Sequence, residues 1–129
     1  MANLKVPPHN EEAEQSVLGA ILIDKDAIAT VSSIIASSDF YSPTNGIIFD
    51  AMLTLYEESK PIDILTVRSA LKKRKTPKTI ESSYLTDLVN VVPTAANIEH
   101  YANLIKEASI KRALITAGSQ IAEMCFWED

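Results

Sequence analysis

Four shortages narrow this 129-residue chain before any motif is sought. There is one cysteine, Cys125, so no internal disulfide can form, and a lone thiol fits a reducing cytosol. The three glycines, Gly19, Gly46 and Gly118, lie too far apart to form a loop that cradles phosphate. His9 and His100 have no carboxylate or cysteine at ligand spacing, so no metal site is expected. No apolar run approaches the roughly 18 residues of a membrane span, and no N-terminal stretch has the layout of a signal peptide. The net charge of −5 argues against a chain that binds nucleic acid over its whole surface. There is no Gly-x-Ser-x-Gly elbow and no Cys/His arrangement, and no catalytic constellation emerges.

What is present reads as helices. Residues 1–9, with Pro7 and Pro8, suggest an extended, flexible arm. Asn10 is placed to cap a first helix whose opening turn carries Glu11, Glu12 and Glu14, carboxylates suited to the positive helix end and routine there. Val17, Leu18, Ile21 and Leu22 give it an apolar face. A second helix is expected to carry Ala27, Ile28, Val31, Ile34 and Ile35. Ser42 and Pro43 begin a third, with Ile48, Phe49, Met52, Leu53, Leu55 and Tyr56. Asp63 caps a fourth, bearing Ile64, Val67, Ala70 and Leu71 and closing on Lys72, Lys73, Arg74 and Lys75, cations favoured at the negative helix end. A short fifth helix holds Leu85, Leu88 and Val89. With no period-two runs, the fold class is all-α: a small globule of about five helices over residues 10–93, followed by a long C-terminal helix over 94–129.

That last helix faces two ways. Val92-Pro93 is forced extended, Thr94 is the expected cap, and no proline follows before the chain ends. At 1.5 Å per residue the helix would be on the order of 48 Å long, whereas a globule of the preceding ~90 residues is about 30 Å across. Ile98, Tyr101, Leu104, Ile105 and Ala108 share one side of its first half. Beyond Ser109 a new stripe runs through Ile110, Leu114, Ala117, Ile121 and Met124 at four-three-four-three spacing, the narrow seam of a coiled-coil-like pair. Ile115, Ala122 and Phe126 continue the old side. A buried central helix is the plainer alternative. Two apolar faces on one arm favour pairing with another helix or subunit.

The basic segment 68–78, with Arg68, Lys72 to Lys75 and Lys78, could touch phosphates. It lacks interleaved aromatics and sits where the helix dipole alone favours cations, so a solvated face is the simpler reading. A small helical DNA-binding regulator using this segment is the competing hypothesis.

Four stretches, "PPHNEEAEQSVLGAILID" (7–24), "DFYSPTNGIIFDAM" (39–52), "PIDILTVRSALKKR" (61–74) and "YLTDLVNVVPTAANIEHYANLIKEASIKRALI" (84–115), resemble, in order, the N-terminal domain of the DnaB-type replicative DNA helicase of bacteria. The most specific blocks are Ala13 to Gly19 and Val92 to Asn97. One departure is Ser82-Ser83, where the family often has Gly-Gly.

The resemblance implies a cytoplasmic replication protein in which a globule is followed by a helical hairpin. Hairpins pair subunits, and paired domains build a collar of six above a motor ring. Residues 94–129 would be the hairpin's first arm, with the second arm absent from this chain. Ile110, Leu114, Ala117, Ile121 and Met124 would form the subunit interface. The collar also receives DNA primase and, in some members, a helicase loader; Glu12, Tyr84, Ile115 and Ile121 are the expected primase surface, with Ile121 in both sets. ATP and Mg, like contact with single-stranded DNA, belong to the full-length ring and its later phosphate-binding domain. No cofactor and no unwinding activity are expected of this fragment.

Overall fold

The structure, a computed structural model, describes residues 6–74, 80–91 and 97–127. Among these it contains six α-helices, one 3-10 turn and no strand: α1 (Glu11–Ile23), α2 (Ala27–Ser32), the turn Ser37–Asp39, α3 (Pro43–Glu57), α4 (Ile64–Lys72), α5 (Ser82–Val91) and α6 (Ile98–Phe126).

The caps read from the sequence are made. Asn10 accepts from the Ala13 N–H at 2.9 Å, and Ser42 accepts from Asn45 N–H with Pro43 in the first turn. Asp63 and Thr66 cap each other reciprocally, each side-chain oxygen accepting the other's N–H, which satisfies donors the helix itself leaves open. The expected Thr94 cap lies outside the described residues. The helix at α5 begins at Ser82, so the Ser82-Ser83 pair is helical.

α2 is shorter than its apolar spacing suggests. It stops at Ser32, leaving Ile34 and Ile35 beyond it, although Ile35 is still buried. The reason is local: the Ser32 and Ser33 hydroxyls donate to the Ala29 and Thr30 carbonyls, competing with the backbone N–H groups that would extend the helix.

α1 is the central element. It packs on α5 and α6 and also meets α2 and α3. Ala13, Ser16, Gly19 and Ala20 are buried together with Val17, Leu18 and Ile21, so more than the one expected face is covered. Small side chains let neighbouring helices approach on the remaining sides. Phe49, Leu18, Ile21, Ile28, Ile48 and Met52 are the largest members of one continuous core, and Phe40 lies tilted against Phe49 with ring centroids 5.2 Å apart.

Two backbone features shape the ends of α3. A Cβ on Gly46 would stand 2.9 Å from the Ser37 carbonyl oxygen, so glycine here lets the 3-10 turn seat directly on the helix. At the far end Ser59 takes φ 58°, and the Lys60 N–H reaches back to the Leu55 carbonyl at 2.9 Å. This is the left-handed cap that usually falls to glycine.

Candidate interaction arm and its anchor

The globule covers only the first part of α6. Ile98, Ala102, Ile105 and Ala108 are buried, while Tyr101 and Leu104 pack partly against the core. Alanine carries too little hydrophobic signal for Ala102 to be read from sequence. Past Ser109 no residue of the helix is buried. The 29-residue helix is roughly 44 Å long at the usual rise, and its distal half projects from the globule.

Both apolar stripes are left bare. On the seam, Ile110, Leu114, Ile121 and Met124 are 49%, 65%, 62% and 71% exposed, and Ile115 and Phe126 on the second side 53% and 86%. Ala117 is exposed as well. Nothing stands within 4 Å of a Cβ placed on Gly118, so no neighbour within the chain requires glycine there. Isolated exposed apolar residues are ordinary, but a concentration along one projecting helix makes these stripes the candidate interaction surface.

The remaining expected partner residues lie elsewhere. Glu12 is exposed on the first turn of α1. Tyr84 is half-buried on α5 beside α1, and its hydroxyl donates to Asn45 Oδ1. The structure therefore groups Tyr84 with α1 and separates it from Ile115 and Ile121 on the arm.

Tyr84 belongs to a buried polar network that sequence reading did not find. Glu14, taken as a routine first-turn carboxylate, is 2% exposed. It accepts from the N–H groups of Tyr41 (2.7 Å) and Ser42 (3.3 Å) and from the Asn45 side-chain amide (2.9 Å). Its negative charge sits at the positive end of α3. Burial, aided by the Glu11 and Glu14 carboxylates, raises the Tyr84 pKa against the opposing effect of hydrogen bonding with Gln15 and Asn45.

A second polar cluster anchors the arm at its root. The Asp39 carboxylate accepts from Ala36 N–H (2.8 Å), the Ser109 hydroxyl (2.7 Å) and, at 3.5 Å, the Lys106 ammonium. One turn on, Arg112 donates to two main-chain carbonyls, Asp39 at 2.6 Å and Pro8 at 2.9 Å. Its guanidinium lies 5.5 Å from the Tyr41 ring centroid. Asp39 sits in the stretch "SSDFYSP" between the second and third helices, where the sequence singled out no site residue. The available signal was the polar row Lys106, Ser109 and Arg112, which repeats every third residue along α6.

Burial pushes the Asp39 pKa up, but the Ala36 and Ser109 hydrogen bonds and the Lys106 charge outweigh it, and the net shift is downward from 3.8. A carboxyl group whose folded pKa is depressed stabilises the fold above its ordinary value, and that contribution disappears as pH falls through the lowered one. Because the carboxylate accepts from the Ala36 N–H, the Ser109 hydroxyl and the Lys106 ammonium, Asp39→Asn is expected to cost about 2 kcal/mol at pH 7. Urea unfolding of both proteins should show the gap closing as pH drops below 3.8. A gap that stays constant down to the most acid condition would mean that the charge of Asp39 is not what holds the anchor.

The basic segment is partly occupied within the fold. Arg74 pairs with Asp50 at 2.6 Å and donates to Thr54, and Arg68 reaches the Ser82 hydroxyl at 3.4 Å. α4 turns Val67 and Leu71 into the core. Lys75 and Lys78 lie outside the described residues. Among the described residues no group of side chains is placed to hold a metal ion, and no helix is long and apolar enough to cross a membrane.

The fold is a helical globule with an anchored, projecting helix that bares two apolar stripes. Residues 6–107 match the family described as DnaB-like helicase N terminal domain, and the chain belongs to that family. Among its relatives, the replicative DNA helicase DnaC of Bacillus subtilis is 43% identical over 124 residues, 95% of this chain and 27% of that protein. The replicative DNA helicase DnaB of Leifsonia xyli is 41% identical over 121 residues, 93% of this chain and 26% of that one. The chain thus spans about a quarter of the length of these curated relatives.

Solved structures agree. The N-terminal domain of DnaB helicase from Mycobacterium tuberculosis superposes with a TM-score of 0.90 at 38% identity, covering 95% of this chain and 90% of that one. The corresponding domain from Helicobacter pylori, described together with its interactions with primase, gives 0.81 at 36% identity, with coverages of 91% and 92%.

Proposed function

We propose that this chain is the assembly and partner-docking region of a hexameric, ATP-dependent replicative helicase. It pairs subunits through the seam Ile110, Leu114, Ala117, Ile121 and Met124, and it recruits DNA primase at the replication fork. The observation that carries this reading is the bare, doubly apolar half of α6. One small globule leaves both faces open, and pairing with a second helix removes them from water at about 25 cal/mol per Å2. The H. pylori relative supports primase as the partner. In this reading ATP, Mg and single-stranded DNA are engaged by other parts of the full-length ring. The three widely spaced glycines here do not fit a phosphate loop. A loader is a further partner of the same collar.

The test is an NMR titration of the labelled chain with the helicase-binding domain of the cognate primase, with single-stranded DNA at physiological salt as control. Shifts are expected along residues 110–124 with primase and none with DNA. The Ile115→Ala/Ile121→Ala double variant should bind primase at least about tenfold more weakly, since each truncation removes roughly 1–2 kcal/mol of apolar contact, with helicity unchanged. Shifts at Arg68 and Arg74 with DNA, and none with primase, would instead favour the DNA-binding regulator.

A further inference from the structure

We infer that the N-terminal segment Pro7–His9 is a strap that sets the direction in which the arm leaves the globule. Two parts of the chain far apart in sequence meet at one guanidinium. Arg112 holds the Pro8 carbonyl with Nη1 and the Asp39 carbonyl with Nη2, so a single side chain of α6 joins the segment before α1 to the loop before α3. The strap is held on its other side too. The His9 ring stacks on Tyr41 with centroids 4.2 Å apart and planes 21° apart, and His9 Nδ1 donates to the Pro7 carbonyl at 2.8 Å. The same Tyr41 ring lies 5.5 Å from the Arg112 guanidinium. Tyr41 is therefore shared between strap and arm.

The position of Arg112 makes this contact a lever. The last buried residue of α6 is Ala108, and every described residue beyond Arg112 is exposed. The anchor formed by Asp39 with Lys106 and Ser109 sits at the fulcrum, and Arg112 grips one turn further out. From Arg112 to Cys125 the rigid helix extends about 20 Å, so a swing of 10° at the grip moves its tip by roughly 3 Å. A planar guanidinium suits this task because its fixed fork can address two acceptors at once, which an ammonium on a flexible stem does not do. Displacing Pro7–His9 would release one of the two carbonyls and unstack Tyr41, leaving the arm held by Asp39 alone. That the arm's direction matters for assembly rests on the proposed function; the strap does not, because it acts within a single chain.

Spin labels on the native Cys125, exposed on the arm, and on an introduced Glu57→Cys at the exposed end of α3 test it. Electron–electron distance measurements are made on doubly labelled chains diluted in unlabelled protein, so that only distances within one chain are read. The parent should give one narrow distribution. Arg112→Gln, and separately deletion of residues 1–8, should each broaden it or shift its mean by at least about 3 Å, and the two together should do no more than Arg112→Gln alone. Arg112→Lys serves in place of Arg112→Gln if far-UV circular dichroism shows the latter unfolded. An unchanged distribution on deletion, or effects of deletion and substitution that add, would overturn the strap. Distances that change as expected while self-association and primase binding stay at the parent's level would count against the proposed function and leave the strap standing.

Discussion

Replacing Glu14 by alanine is expected to lower the stability of the domain by about 3 kcal/mol, because three donors, one buried and two partly buried, then lose their acceptor at once. These are the N–H groups of Tyr41 and Ser42 and the Asn45 amide, all at the start of α3. For a domain of this size the loss corresponds to a fall in Tm of roughly 10 °C. The truncation also opens a cavity in the central helix, since Glu14 is among the largest fully buried side chains. Glu14→Gln keeps the volume and one acceptor but turns an amide NH2 toward groups that are themselves donors, so an intermediate loss of about 1.5 kcal/mol follows. Tyr84→Phe removes only the outer member of the network. Thermal unfolding by circular dichroism separates the three. A Glu14→Ala protein melting within 2 or 3 °C of the parent (about half a kilocalorie) would show that the network is dispensable.

The second large effect is on association. Leu114→Lys/Met124→Lys is expected to weaken self-association at least about 100-fold, because each change removes apolar contact worth 1.5–3 kcal/mol and places a charge in a dry seam. Both side chains are mostly exposed in the isolated chain, so helicity and Tm should be unchanged. Ile121 is left in place because it also belongs to the expected primase surface. Sedimentation velocity over a concentration series is the measurement. If the double variant associates as the parent does, the seam is not the pairing face.

The exposed stripe and the anchor differ in how openly the sequence declared them. The stripe was legible because helical spacing needs only local periodicity. Ile110, Leu114, Ala117, Ile121 and Met124 could be placed on one side from spacing alone, and the structure leaves them exposed. The caps Asn10, Ser42 and Asp63 were legible for the same reason, since a cap acts within three residues. Glu14 is the first-turn carboxylate that was read, but its burial, like the anchoring role of Asp39, was not legible. Their partners lie 27 to 31 residues away for Glu14 and, for Ser109 and Lys106 on Asp39, 67 to 70 away, distances over which no local pattern reports.

The sequence by itself determined an all-helical chain, the starts of its main helices and a final helix too long and too apolar for its globule, because periodicity and capping are properties of neighbouring residues. Only the tertiary structure decided which carboxylates are buried, where α6 leaves the core, and that Arg112 ties the N-terminal segment to the arm. Those outcomes depend on which distant segments share a hydrogen-bonding site, and that is settled when the helices pack around α1.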